Sequence, residues 1–390
     1  MPSHTRRQVL TTIGASCIAL TGCLSQSPPS GNLGDITGEW TMVGRNVGHT
    51  RRIAAGPTDP ETVWISELDQ TRAAGTPTVS NGQLYVPVDG ISDTARHRYR
   101  IHALSAATGD ERWQVPLRSE PNAPPAVGGD HIVVTAQRAL EQGRIVCFQT
   151  RYGDEDWLVD IDARLTAAPT IASGFVYVPD WRGRVHALSI SDGSVRWSHH
   201  VDADTGGRTF TEPAAALDET LYLGSQSGKT GVVALDATTG ETQWKESTQA
   251  VTGGPVAHPK GVIVQSHHLV TAFHTDGTRQ WSFNVVDGRV RPIAVDDQHV
   301  YVSAGNTLYA IDWSGEESWR YEPTRKQVGT PTVTGSTVLI PSEEQLIALS
   351  RETGEEQWTT SLEGAGRPIV TPEAIFLPGS DGTVIALGET

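Results

Sequence analysis

Cysteine, lysine and recognisable catalytic motifs are all scarce in this 390-residue chain. The cysteines are Cys17, Cys23 and Cys147. Two stand near the N-terminus and the third is alone, so no disulfide framework can hold the body of the protein. Lysine occurs only at Lys229, Lys245, Lys260 and Lys326, and 45 acids outnumber 30 bases for a net charge of −15. So acidic a surface argues against nucleic acid as a partner, because phosphate binding is dominated by Lys and Arg. The apolar stretch Val9 to Leu20 is too short and too polar to span a bilayer permanently. Gly-x-Ser-x-Gly, His-Glu-x-x-His and phosphate-loop patterns do not occur, and no carboxylate pair has a spacing that fixes a hydrolytic dyad. The His pairs 199–200 and 267–268 point to opposite faces if they lie in strands, so they read as exposed histidines and no metal site is expected.

Tryptophan, in contrast, is periodic. Trp64, Trp113, Trp157, Trp197, Trp244, Trp281, Trp319 and Trp358 follow one another at gaps of 37 to 49 residues, a period that marks a repeat architecture. Most close one phrase, clearest as IHALSAATGDERW (101–113), VHALSISDGSVRW (185–197), VVALDATTGETQW (232–244) and LIALSRETGEEQW (346–358). Each reads as strand, tight Gly turn, strand. A second phrase precedes it: a Pro, an apolar run, a turn and another apolar run, as in TPTVSNGQLYVPV (76–88) and TPTVTGSTVLIPS (330–342). Each unit thus holds four short strands, A to D, the content of one β-propeller blade.

The chain ends complement each other. Trp64 has no strands A to C before it, and the last unit, Pro368 to Leu387, has no Trp phrase after it. Residues 62–68 are therefore expected to supply strand D to the C-terminal blade. The fold class is all-β, an eight-bladed propeller of four-stranded antiparallel blades, closed so that no open sheet edge remains. The Trp is expected to be a structural dock between blades, burying roughly 150–250 Å² and donating its N–H to a turn carbonyl.

The N-terminus reads as an export signal. Arg6 and Arg7 point to the twin-arginine route, and Leu20-Thr21-Gly22-Cys23 resembles a lipobox, which implies lipid on Cys23 after cleavage. The domain reading is a signal at 1–22, a lipidated Cys and flexible tether at 23–36, and the propeller at 37–390. Loss of the signal removes two arginines and no acid, leaving the mature charge at −17. This acidic, Lys-poor composition suits a salty medium and resembles that of secreted proteins of salt-loving archaea. Cys147 falls in the slot held by Ala103 and Ala187 and is expected to be a small buried residue.

The run Ala-Leu-Asp-x-x-Thr-Gly-x-x-x-Trp at 234–244 resembles the docking motif of the pyrroloquinoline-quinone-type (PQQ-like) propeller repeat, and the likeness covers residues 62–390. Residues 39–50 resemble the lead-in common before such propellers. The resemblance implies one of two functions. Some members are dehydrogenases holding the quinone and a calcium ion above the central channel. Others are non-catalytic, among them the lipoprotein of the outer-membrane protein assembly machinery, similar in blade count and lipid anchor, and sensor domains of kinases. This chain lacks the adjacent cysteine pair that covers the quinone and lacks Cys-x-x-Cys-His for haem. A cofactor is therefore not expected, with quinone and calcium as the alternative.

The C–D turns are uniform, so binding is expected on the opposite face, where the D–A and B–C connections emerge. Basic residues precede strand A in six units, as Arg72, Arg164, Arg208, Arg291, Lys326 and Arg367, and one B–C loop adds Trp181 and Arg182. On an acidic protein such a mouth would focus field on an anionic ligand. The expected function is that of a membrane-tethered, extracytoplasmic scaffold that binds protein, an extended peptide or an anionic small ligand, with a quinone-dependent dehydrogenase as the alternative.

Overall fold

The computed structural model describes residues 28–69, 71–91, 98–201, 209–226, 230–286, 288–323, 328–342, 345–361 and 366–389. Eight antiparallel sheets follow one another as blades of a β-propeller. Blade 1 runs Thr71–Pro116, blade 2 Glu120–Ile161, blade 3 Thr170–His200, blade 4 Ala215–Glu246, blade 5 Val256–Asn284, blade 6 Ala294–Tyr321 and blade 7 Thr332–Ser361. Blade 8 joins the two chain ends. Its strands A to C lie within Ile369–Gly388, and Glu61–Glu67 supplies strand D, pairing antiparallel with Thr383–Gly388. In blades 1 and 2 strand A is split, into Thr71–Ala74 with Thr78–Ser80 and Glu120–Pro121 with Ala126–Gly128. Pro77 and the pair Pro124-Pro125 fall in the gaps, where a missing N–H breaks the ladder.

Strands B, C and D share one transverse row. Tyr85, Ala103 and Trp113 stand side by side in blade 1, as do Tyr177, Ala187 and Trp197 in blade 3 and Tyr222, Ala234 and Trp244 in blade 4. The small central residue lets the indole lean across to the ring on strand B, with centroids 5.9–6.0 Å apart in these three blades. The C–D register shifts immediately after that residue in blades 1 to 7, a bulge that re-aims the following side chains.

Seven of the eight docking indoles then bond to the next blade. Trp64 Nε1 donates to the Ala106 carbonyl at 3.2 Å, Trp157 to Ile190 at 2.8 Å, Trp244 to Thr275 at 2.9 Å and Trp319 to Arg351 at 3.1 Å. Trp113, Trp197 and Trp281 do the same with Thr150, Ala237 and Trp313. The ring lies on the turn glycine beyond. A Cβ on Gly240 would come within 2.6 Å of Trp197, and one on Gly354 within 2.5 Å of Trp319. Those glycines also hold φ near +75°, a region costly for other residues. Trp358 differs: its Nε1 is buried with no partner among the described residues. The blade it faces, blade 8, has no C–D turn, because its strands C and D come from opposite ends of the chain.

The innermost strands carry a second device. Residues 37–58 run around the inside of the ring as a collar, whose carbonyls cap the free edges of the A strands. Trp40 pairs with Val79, and the Thr41, Val47, Gly48, Thr50 and Arg51 carbonyls accept from Val127, Ala216, Ala257, Val295 and Val333. Thr37 binds the Glu373 carboxylate, which returns the collar to blade 8. To follow this circle Arg45, His49 and Arg51 adopt φ of 77°, 56° and 51°, an uncommon region for such residues.

Two outcomes follow for stability. Gly129 has a φ of +60° and open space at its missing Cβ, so Gly129→Ala should cost about 1–2 kcal/mol of backbone strain. Gly240→Ala adds displacement of Trp197 and should cost roughly 2–4 kcal/mol; denaturant unfolding will show whether the two differ. Trp319→Phe loses a hydrogen bond that Trp358→Phe does not, so it should cost about 1 kcal/mol more. Equal losses would contradict this reading of the closing blade.

Candidate functional site

The collar sits toward the A–B turns, so the axial channel stays open as a funnel on the D–A and B–C side. Its cavity, about 430 Å³, is lined by Asn122, Thr166, Trp181, Glu212, Gln226 and Arg367 among others. A narrower throat of about 60 Å³ below it is floored by His49 and Arg51 of the collar and also touches Glu212 and Arg367.

Arg51 is the buried cation of the floor. Its Nε donates to the Pro331 carbonyl at 2.9 Å, Nη2 to Thr332 Oγ1 at 2.9 Å and Nη1 to the Val43 carbonyl at 3.2 Å, while the guanidinium lies 5.2 Å from the Trp40 ring centroid. Burial, helped by the charge of Arg367, lowers its pKa to about 9, so it stays charged at neutral pH. His49 is also buried, with Nε2 unpartnered, and burial followed by repulsion from Arg51 pushes it down to about 4. It is neutral at physiological pH.

Glu212 is the one acid among the described residues lining these two cavities, and burial raises its carboxyl to about 7 against the pull of Arg367 and Arg289. Arg367 is reached by solvent, yet the funnel walls surround it. Burial among these walls lowers its pKa, while Glu212 opposes the fall and Arg291 adds to it. Glu212, Arg291 and Arg367 each immediately precede a proline that opens strand A, Pro213, Pro292 and Pro368. That common frame brings Glu212 and Arg367 to the lumen and Arg291 close to Arg367.

The expected mouth residues therefore divide. Arg367 lines the funnel, and Arg291 stands near enough for its charge to act on Arg367. Arg164 lies against the face of Trp181, with Cζ 4.1 Å from the ring centroid, and the Trp181 Nε1 donates to Thr166 Oγ1 at 2.7 Å. Arg182 turns away to the Asp162 carbonyl at 2.6 Å and the Asp162 carboxylate at 3.7 Å. Arg72 is exposed near Asp89, which Arg98 already holds through two bonds at 2.6 and 3.0 Å. Arg208, Lys326 and Cys23 lie outside the described residues. Glu212 and the collar pair His49 and Arg51 were missed. Aligning the residue before each strand-A proline would have found Glu212, whereas the collar follows no repeat.

The mouth thus offers a mixed constellation: guanidinium groups around a carboxyl that is half ionised near neutrality, beside one aromatic wall. It can hold a carboxylate-bearing ligand and can gain or lose a proton doing so. The pH consequence has a definite sign. A carboxyl whose folded pKa exceeds its ordinary 4.5 contributes stability fully present below that value and lost as pH rises through about 7. Wild-type stability should therefore fall between about pH 5 and about pH 8 by more than that of Glu212→Gln. Identical slopes in denaturant titrations would contradict the burial of this group.

Comparison with known proteins places the fold. The family described as outer membrane protein assembly factor BamB matches residues 50–269 and 266–389. The outer membrane protein assembly factor BamB of Yersinia pestis is 21% identical over 278 residues, 67% of this chain and 61% of that protein. Among solved structures, BamB from Moraxella catarrhalis superposes with a TM-score of 0.55 at 18% identity, covering 85% of this chain and all of that one. A quinohemoprotein alcohol dehydrogenase from Comamonas testosteroni reaches 0.71 at 16% identity, over 90% of this chain and 81% of that chain. Identities this low show a shared propeller fold alone. The match of the family to nearly the whole described ring is what classifies the protein: this chain belongs to the BamB family of PQQ-type β-propellers.

Proposed function

We propose that the protein is a non-catalytic scaffold, exported and tethered to the outside of a membrane through lipid on Cys23, that binds an extended, carboxylate-bearing polypeptide segment at its funnel. The observation that carries this reading is the funnel itself. The collar divides the channel, and the side of the D–A and B–C connections presents Arg367 against Glu212 beside the Trp181 wall, with Arg291 close to Arg367. On a chain of net charge −15 this positive mouth concentrates field lines and steers an acidic segment to it. Family relatives named as assembly factors support a protein partner.

A quinone-dependent dehydrogenase is the competing reading, since dehydrogenases share the fold. The funnel residues fit it poorly. Calcium takes six to eight oxygen ligands, usually with several carboxylates, and the funnel lining brings Glu212 together with Arg51 and Arg367. One face of Trp181 is covered by Arg164. Purified protein incubated with the quinone and calcium should show neither a quinone absorbance change nor dye reduction; either one would overturn the scaffold reading.

The binding test is charge reversal. Replacing Arg164, Arg291 and Arg367 together by Glu should abolish capture of a fluorescent Asp/Glu-rich peptide, read by anisotropy, and unchanged capture would end the proposal. Cys23→Ser should move the protein from the membrane fraction to the soluble fraction on cell fractionation. Retention at the membrane would remove the tether from the account.

A further inference from the structure

Blade 2 departs from the other seven at one spot, and the departures converge. The slot opposite the docking Trp on strand C is Ala in blades 1 and 3 to 8, as Ala103, Ala187, Ala234, Ala272, Ala310, Ala348 and Ala386. In blade 2 it is Cys147, paired with Trp157. Spare room does not explain the change. Blades 5 and 7 also lack an aromatic ring on strand B, with Ile263 and Leu339 in its place, yet both keep the Ala. The residue before the docking Trp is Arg, Gln, Ser or Val in the other blades, and only blade 2 has an acid there, Asp156. The residue opening strand B is His131; blade 6 also has a His there, His299, but with Ala310 and Ser318 at the other two positions, whereas blades 1, 3 and 4 open with Gln83, Phe175 and Thr220, so the combination of all three is particular to blade 2.

These three side chains come from three adjacent strands and meet. The ligand atoms of His131, Cys147 and Asp156 all lie within 4.8 Å of one another, and His131 Nε2 stands 3.6 Å from Asp156 Oδ2. Gln149 donates from Nε2 to Asp156 Oδ1 at 2.6 Å, which fixes the carboxylate with its second oxygen toward the imidazole. Cys147 is fully buried, while the His131 and Asp156 side chains are 26% and 22% exposed. The cluster is therefore closed behind the sulfur and open to solvent in front.

We infer that His131, Cys147 and Asp156 form a binding site for a divalent transition metal of the zinc class. One thiolate, one imidazole and one carboxylate make a borderline donor set suited to such an ion rather than to calcium or magnesium, which take oxygen ligands. Zinc bonds of about 2.0–2.3 Å in a tetrahedron place donors roughly 3.5 Å apart, so the three atoms need move by only about 1 Å. Gln149 acts as the outer partner that orients the carboxylate. On binding, the Cys147 S–H bond breaks, the sulfur donates its pair to the metal and the proton leaves to solvent. Water fills the fourth position on the open side. The ion would staple strands B, C and D of blade 2.

The repeat supplies variants that preserve the fold. Cys147→Ala installs the residue of the other seven blades, Asp156→Gln that of blades 4, 5 and 7, and His131→Thr that of blade 4. The background is the full chain carrying Cys17→Ser and Cys23→Ser. Titration with Co²⁺ should give a thiolate-to-cobalt charge-transfer band, lost in Cys147→Ala, with affinity at least about tenfold weaker in His131→Thr and Asp156→Gln. Zn²⁺ should raise the Tm of the background protein and leave that of Cys147→Ala unchanged. No charge-transfer band in the background protein, or one that survives Cys147→Ala, would overturn the site and leave Cys147 as a core residue only.

Discussion

The contact between an indole and a glycine turn sets the geometry of this propeller. A blade is flat and apolar on both sides and must bury each against a neighbour. The docking Trp does so at fixed spacing, because the ring rests where a Cβ would otherwise be and its N–H reaches a carbonyl of the same turn. The Ala beneath the ring, the bulge beside it and the left-handed glycine ahead of it all serve this one contact. The interface where the arrangement is incomplete is where the ring closes. Strands from the two chain ends replace a turn there, and the indole of Trp358 is left with a buried N–H and no partner among the described residues. Closure by pairing Glu61–Glu67 with Thr383–Gly388 removes two open sheet edges, and the unmade hydrogen bond is its local cost.

The same edge problem arises at the axis, and the collar solves it. Strand A of each blade has a free inner edge, and residues 40–53 place successive carbonyls against those edges in blades 2, 4, 5, 6 and 7 and pair with blade 1. Three residues accept left-handed backbone to make the circuit. The collar also determines where a ligand can enter. By crossing the channel and placing Arg51 and His49 at the floor of the D–A side, it turns a hole into a funnel with a charged base. Fold, closure and binding face are thus one construction.

The ring was readable in the residues because its signals are local and repeated. Eight tryptophans, seven turn glycines and the strand-A prolines each mark a position in a blade, and the two incomplete end units could be matched to each other. The mouth was read less sharply. Arg367 reaches the lumen and Arg291 comes close to it because each sits directly before a strand-A proline, whereas Arg72 and Arg182 are offset from that frame and lie elsewhere. Glu212 occupies the same frame and went unnoticed because only bases were sought. The collar has no period, so nothing local announces that Trp40 meets blade 1 and Arg51 meets blade 7. Cys147 was correctly placed in a core slot, but its approach to His131 and Asp156 depends on register across three strands.

The central claim is that the indole and the glycine are one interaction rather than two independent preferences. A double-mutant cycle on Trp197 and Gly240 tests it most directly. If the ring is what forbids a side chain at the turn, Gly240→Ala in a Trp197→Ala background should retain only its backbone strain, giving a coupling of about 1 kcal/mol or more. Additive losses, with Gly240→Ala equally harmful whether or not the indole is present, would contradict the account.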